Sequence, residues 1–227
     1  MVSTNGGHGS PSCPPPLTSL QGPEGGKSMS CVAICHDSKA ASAARQALFQ
    51  AHAAHNIANI GTSLLTGVLA NADGVSAIES DPRLRGSFYC IDTDSFEAAR
   101  KIMEADPFFT GHAWKQIDYY RWQNPTGAWQ MEAARPKGLN VEYGCYLVTS
   151  SAALNLSDAL MTGTVTSLGS TAPVPEPLAS IALVRAAGME AARTMAPSAD
   201  WVAALPIAIG RWVHISSLAD IEDLRKK

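Results

Sequence analysis

Long hydrophobic runs are missing from this sequence. Nowhere do about 18 apolar residues follow one another, so no membrane-spanning helix is expected. The first residues also lack a basic stretch followed by an apolar core, so no secretory leader is expected and the location implied is cytoplasmic. Charge of one sign is scarce: 17 Lys and Arg against 20 Asp and Glu leave a formal net charge of −3. No Lys/Arg-rich run interleaved with aromatics appears, which argues against nucleic acid as the partner. Cysteine is sparse and odd in number, five residues without tight spacing, which argues against a disulfide framework and a Cys-based zinc site. Cys31 and Cys35 lie four apart in a strand-like run and read as small buried hydrophobes on one face. The alternative is a reactive thiol, which would need a depressed pKa.

Hydrophobic residues make up 46% and charged residues 16% of the 227, the balance of a globular protein with a sizeable core. The length suits one large domain or two small ones. Residues 1–28 are rich in Gly, Pro and Ser and read as a disordered tail. Beyond it, Ser30-Cys-Val-Ala-Ile-Cys35 reads as a buried strand. The Ala-rich, proline-free stretch from Ser38 to Gly61 predicts a long helix with Ser38 as a candidate N-cap. Leu64 to Ala70 reads as a strand, the following Asn-Ala-Asp-Gly as a turn, and Gly86 to Asp92 as a third strand. A second helix is expected from Asp94, with an Asp or Ser start and an early Glu97. It stops at Asp106-Pro107, because the residue before proline is pushed out of helical geometry. Ala113 to Trp122 is the fourth strand.

The order β-α-β-β-α-β is the ferredoxin-like split βαβ. After a Gly- and Pro-containing linker at 123–140, the pattern recurs. Tyr143 to Val148 echoes the first strand, and Leu160-Met-Thr-Gly163 echoes Leu64-Leu-Thr-Gly67. Glu190-Ala-Ala-Arg193 repeats Glu97-Ala-Ala-Arg100, and Arg211-Trp212 repeats Arg121-Trp122. Ser217 then caps a short charged helix. The fold class expected is α+β: two tandem ferredoxin-like βαββαβ units, at 29–122 and 141–227, with antiparallel sheets. The second unit is shortened where the first carries the helix with His52 and His55.

The first unit resembles the YciI-like (YCII-related) family. The resemblance rests on Arg45 seven residues before His52, then Leu-Leu-Thr-Gly, then Asp94-Ser-Phe-Glu-Ala, and an Asp106-Pro-Phe turn followed by Gly111. It implies a dimeric α/β-barrel and maps a His–Asp pair onto His52 and Asp106. Relatives in the same superfamily include muconolactone isomerases and chloromuconolactone dehalogenases, which move protons on small carbonyl or lactone substrates without metal or organic cofactor. The chain departs from the family at Phe49, where a second arginine is common, and at Ala53, where leucine is common. His55 is an extra histidine one turn on.

The chemistry of the pair stands apart from the resemblance. Histidine titrates near neutrality, and a carboxylate within hydrogen-bond reach fixes its tautomer and raises its basicity. Removing a proton alpha to a carbonyl needs little more than donors for the enolate oxygen, and Arg45, His55 or Ser95 are the candidates. Each residue also has a plainer reading. His52 could be a surface histidine, Asp106 a helix stop, Ser95 a cap and Arg45 a surface ion pair. His52 and His55 share a helix face, a spacing that can hold a metal, but no third ligand is evident. His36 and His112 read as structural. Asp200 stands near the Asp106 position of the second unit with no histidine opposite, so that half reads as scaffold. Trp114, Tyr119, Tyr120 and Trp122 read as packing or pocket lining.

Two function classes follow. One is a cofactor-free isomerase, lyase or cyclase with His52 as base and Asp106 orienting it, acting on a carbonyl, lactone or polyketide-like metabolite, with a weak lean toward secondary metabolism. The other is a non-catalytic protein that binds a metabolite or regulates. The assembly expected is an intrachain pseudo-dimer, with a further homodimer as an additional arrangement. A closed cavity holding both His52 and Asp106 would favour the enzyme.

Overall fold

The structure is a computed structural model, and it describes residues 29–71, 83–123, 144–156, 159, 161–172 and 177–208; at 144 and 205–208 the backbone alone is described. The expected turn after Ala70, the linker, Arg211-Trp212 and the Ser217 helix lie wholly or largely outside the described residues.

In the first half, β1 (Met29–Asp37), α1 (Ala41–Ala58), β2 (Ser63–Ala70) and β3 (Leu84–Thr93) are followed by α2 (Phe96–Glu104), α3 (Pro107–Thr110) and β4 (Trp114–Gln123). In the second half come β5 (Gly144–Ser150), β6 (Met161–Ser170), β7 (Ser180–Ala186), α4 (Met189–Met195) and β8 (Asp200–Ala208). All strand pairs are antiparallel. They close into one barrel in the order β1-β3-β2-β8-β5-β7-β6-β4. Each half contributes four adjacent strands, in the order β4-β1-β3-β2 from the first and β8-β5-β7-β6 from the second. The seams are β2 against β8 and β4 against β6, so one chain closes a barrel whose sheet leaves no unpaired edge.

Strand alternation sorts the core into three layers. Val32, Ile34, Phe88, Cys90, Tyr120 and Trp122 point into the barrel, where Leu147, Met161, Ile181 and Leu183 of the second half meet them. Cys31, Ala33, Cys35, Tyr89, Ile91, Ile117 and Tyr119 point outward and pack under α1, α2 and α3. On the far side Tyr146, Val148, Ala182, Val184 and Trp201 pack under α4 and the segment after β5. Cys31 and Cys35 are thus buried on one outward face. Burial pushes the Cys31 thiol up to about 12, which leaves it inert.

The helix starts differ from the sequence expectation. Ser38 does not cap α1: its hydroxyl accepts the Ala40 N–H, and Ala40, which has no side-chain capping bond, holds the cap position. The likewise expected start of the second helix at Asp94 moves to Phe96, because Ser95 takes extended backbone and accepts the Ala98 N–H on its hydroxyl. Between β5 and β6 the described residues contain no helix, whereas β1 and β2 are bridged by the 18-residue α1. Gly86 sits where β3 runs closest to β1; a Cβ there would collide with the Cys35 carbonyl oxygen. Among the described residues no helix is long and apolar enough to cross a membrane.

Candidate functional site

The face that α1 turns to the sheet carries Ala41, Arg45, His52 and Ala53, all buried, a stripe at helical spacing. Below it, α2 ends at Ala105 and the chain turns through Asp106, whose extended backbone makes it the N-cap of α3. One Asp106 oxygen accepts the Phe108 N–H at 2.8 Å. The same carboxylate accepts from His52 Nδ1, at 2.8 and 3.0 Å. Asp106 is therefore both the helix stop and the partner of His52. It is 1% exposed, and the Phe108 N–H of α3 holds one of its oxygens.

The imidazole is clamped from its faces as well. It stacks on Phe108 with centroids 3.7 Å apart and planes within 7°, and Trp114 meets its edge. The Arg45 guanidinium lies over the Phe108 ring at 5.0 Å. With Nδ1–H given to Asp106, the tautomer leaves Nε2 as an acceptor. Asn56, one turn on in α1, offers its amide to Nε2 at 3.0 Å, and the Tyr89 hydroxyl lies 3.4 Å away. Burial pulls the His52 pKa below its ordinary 6.5, more strongly than Asp106 raises it, and the nearby Arg45 and His55 push the same way as burial. The imidazole is thus neutral at pH 7. The Tyr89 phenol is held well above its ordinary value, first by burial and then by the Asp106 charge, so it stays a donor.

The dyad is closed. A cavity of about 10 Å³, room for roughly one water, is lined by Asn56, Tyr89 and Asp106. The large cavity, about 500 Å³, opens on the other face of β1 and β4 and contains neither His52 nor Asp106.

The other candidates are engaged elsewhere. Arg45, 1% exposed, makes a forked ion pair with Asp37 at 2.8 to 3.2 Å and bonds Ser87 at 2.9 Å. His55 donates from Nε2 to the Ile102 carbonyl at 2.9 Å, tying α1 to α2. Ser95 caps α2. The structure brings none of these three to His52 Nε2. Two residues the sequence reading missed do reach it. Asn56 was legible from its i, i+4 spacing to His52, and Tyr89 from its alternation with Ile91 in β3. Among the described residues no group of three or more His, Cys, Asp or Glu side chains gathers as a metal centre.

Fold and site together define an α+β antiparallel barrel with a buried His–Asp pair between helix and sheet. Residues 29–123 match the family model of the YCII-related domain. A solved structure of 5-chloro-2-hydroxyhydroquinone dehydrochlorinase (TftG) from Burkholderia phenoliruptrix AC1100, in complex with 2,5-dihydroxybenzoquinone, is 20% identical. The likeness covers 42% of this chain and 95% of that one, with a TM-score of 0.38. None of the curated proteins matches the chain.

Proposed function

We propose that the chain is a small-molecule enzyme of the isomerase or lyase kind that works by general acid–base chemistry, with His52 as base and Asp106 as its orienting partner. The observation that carries this is the Nδ1–Asp106 bond in a buried site, which presents a neutral, acceptor Nε2 next to the Tyr89 hydroxyl. Nε2 takes a proton from the carbon alpha to a carbonyl or lactone, and the electron pair moves to the carbonyl oxygen. The Tyr89 hydroxyl donates to that enolate oxygen. Return of the proton at another carbon isomerises the substrate, and expulsion of a leaving group completes an elimination. Neither step calls for a metal or organic cofactor. Asn56 occupies the place a substrate must take, so binding displaces its amide from Nε2.

The domain reading belongs with this proposal. The matching strand orders of the two halves support a duplicated unit, 29–122 and 141–227, in which the second copy closes the barrel. The test is hydrogen exchange. In D2O the protein exchanges the alpha proton of a responsive member of a panel of small enolisable lactones and ketones, followed by proton NMR. His52→Ala slows this by about 10²- to 10⁴-fold. Exchange at the wild-type rate in His52→Ala removes His52 from the role of base.

The non-catalytic reading is favoured by one observation, that the substrate-sized cavity lies away from the dyad. A ligand that binds there, with no exchange on any panel member, would select it.

A further inference from the structure

The barrel mouth contains a second histidine–carboxylate pair. His36 lies at the end of β1 and Asp118 in β4, and both fall on the inward-facing alternation that includes Ile34 and Tyr120. Asp118 accepts from His36 Nε2 at 2.9 Å and from the Gln116 amide at 2.8 Å, and it is 1% exposed. Ser170, on the strand across the β4–β6 seam, also bonds it. Burial alone would raise the Asp118 pKa, but these three donors outweigh it and hold the carboxyl below its ordinary value. The imidazole is therefore backed by a fixed negative charge, as His52 is by Asp106.

Unlike His52, His36 fronts open space. It lines the cavity of about 500 Å³, within the usual range for small-molecule sites. Its side chain is 26% exposed, and its Nδ1 has no hydrogen-bond partner among the described residues. Because Nε2–H is given to Asp118, Nδ1 is the acceptor. Leu69, Leu147 and Trp201 supply apolar wall. The other charged residues lining it are Arg85 from β3, Arg193 from α4 and Asp200 at the start of β8. The walls come from both halves of the chain, so the cavity exists only once the barrel is closed. A pair that served only to pin β1 to β4 would not need a cavity in front of its free nitrogen.

The charges select the ligand. A permanent anion would enter against Asp118 and Asp200, two carboxylates that Arg85 and Arg193 only balance. A neutral hydroxyl meets no such barrier and finds an acceptor at Nδ1. We propose that this cavity is a second ligand site, separate from His52–Asp106, that takes a small, largely apolar molecule through a weakly acidic hydroxyl, a phenol or enol. On binding, the O–H bond breaks, the proton goes to His36 Nδ1 and the oxygen keeps the electron pair. The imidazolium is then held between Asp118 and the oxyanion it has formed. Asp118 is the positioning residue.

The probe is 4-nitrophenol, whose phenolate is yellow, added to the full chain at a pH where the free dye is mostly colourless. Wild type develops a saturable phenolate band. His36→Gln keeps an amide donor for Asp118 and so the β1–β4 tie, but cannot accept the proton; it loses the band at least tenfold while its circular dichroism stays native. His36→Ala, if folded, does the same. No band from wild type, or an equal band from folded His36→Gln, overturns the proposal.

Discussion

Replacing Asp106 by asparagine removes one charge and almost no volume, and the structure says what must follow. The asparagine oxygen can still accept the Phe108 N–H, so α3 keeps its cap. That oxygen also keeps its place 2.8 Å from His52 Nδ1, now as a neutral acceptor, while the amide nitrogen replaces the oxygen at 3.0 Å and sets donor against donor there. A hydrogen bond to a charged group is worth about 1.5–3 kcal/mol. The imidazole recovers part of this by moving its proton to Nε2, but Nε2 then meets the Asn56 amide, another donor. A net loss of about 2 kcal/mol is expected, which for a chain of this size lowers Tm by roughly 4–8 °C. Asp106→Ala loses the α3 cap as well and costs about 1 kcal/mol more. Urea unfolding with an unchanged m-value reads both differences. An Asp106→Asn Tm within a degree of wild type would refute the claim that Nδ1 donates to a buried carboxylate.

Arg45→Met leaves Asp37 buried without its counter-charge and should cost about 3–5 kcal/mol by urea unfolding, most of it restored in the double variant with Asp37→Leu. The His52 pKa lies below 6.5 in the folded chain, so below about pH 6.5 the unfolded chain binds more protons there; stability from this group is complete above that pH and falls as the pH drops. Asp118, also lowered, adds a second loss that begins only below about its ordinary 3.8. Urea midpoints measured from pH 7.5 downward should fall in both windows, and His52→Gln should flatten the first. Gly86→Ala drives a Cβ into the Cys35 carbonyl oxygen, where backbone cannot give way, and should cost at least about 2 kcal/mol or abolish soluble expression.

The first half was legible because its signals are local. The apolar run at Ser30–Cys35, the Ala-rich stretch without glycine or proline around Arg45 and His52, and the Asp106-Pro107 stop each name one element. The His52–Asp106 pairing came from ordered motifs rather than periodicity, since nothing local links residues 54 apart. Arg45 was ambiguous for a physical reason: a long charged side chain on a helix can reach solvent or a buried partner, and only packing against β1 and β3 exposes Asp37 and Ser87 to it. His36 was read as structural because it stands at a strand end, and Asp118 sits among the aromatics of an ordinary alternating strand. That they face a shared cavity follows from closure of the barrel by β5 to β8, a long-range event that no stretch of β1 or β4 encodes.

The state of the His52 imidazole is read directly by 15N NMR across a pH titration. The expected result is a neutral ring at pH 7, protonated at Nδ1, with Nε2 showing the shift of an unprotonated nitrogen and a pKa below 6.5. A ring protonated at Nε2, or one already charged at neutral pH, would contradict it.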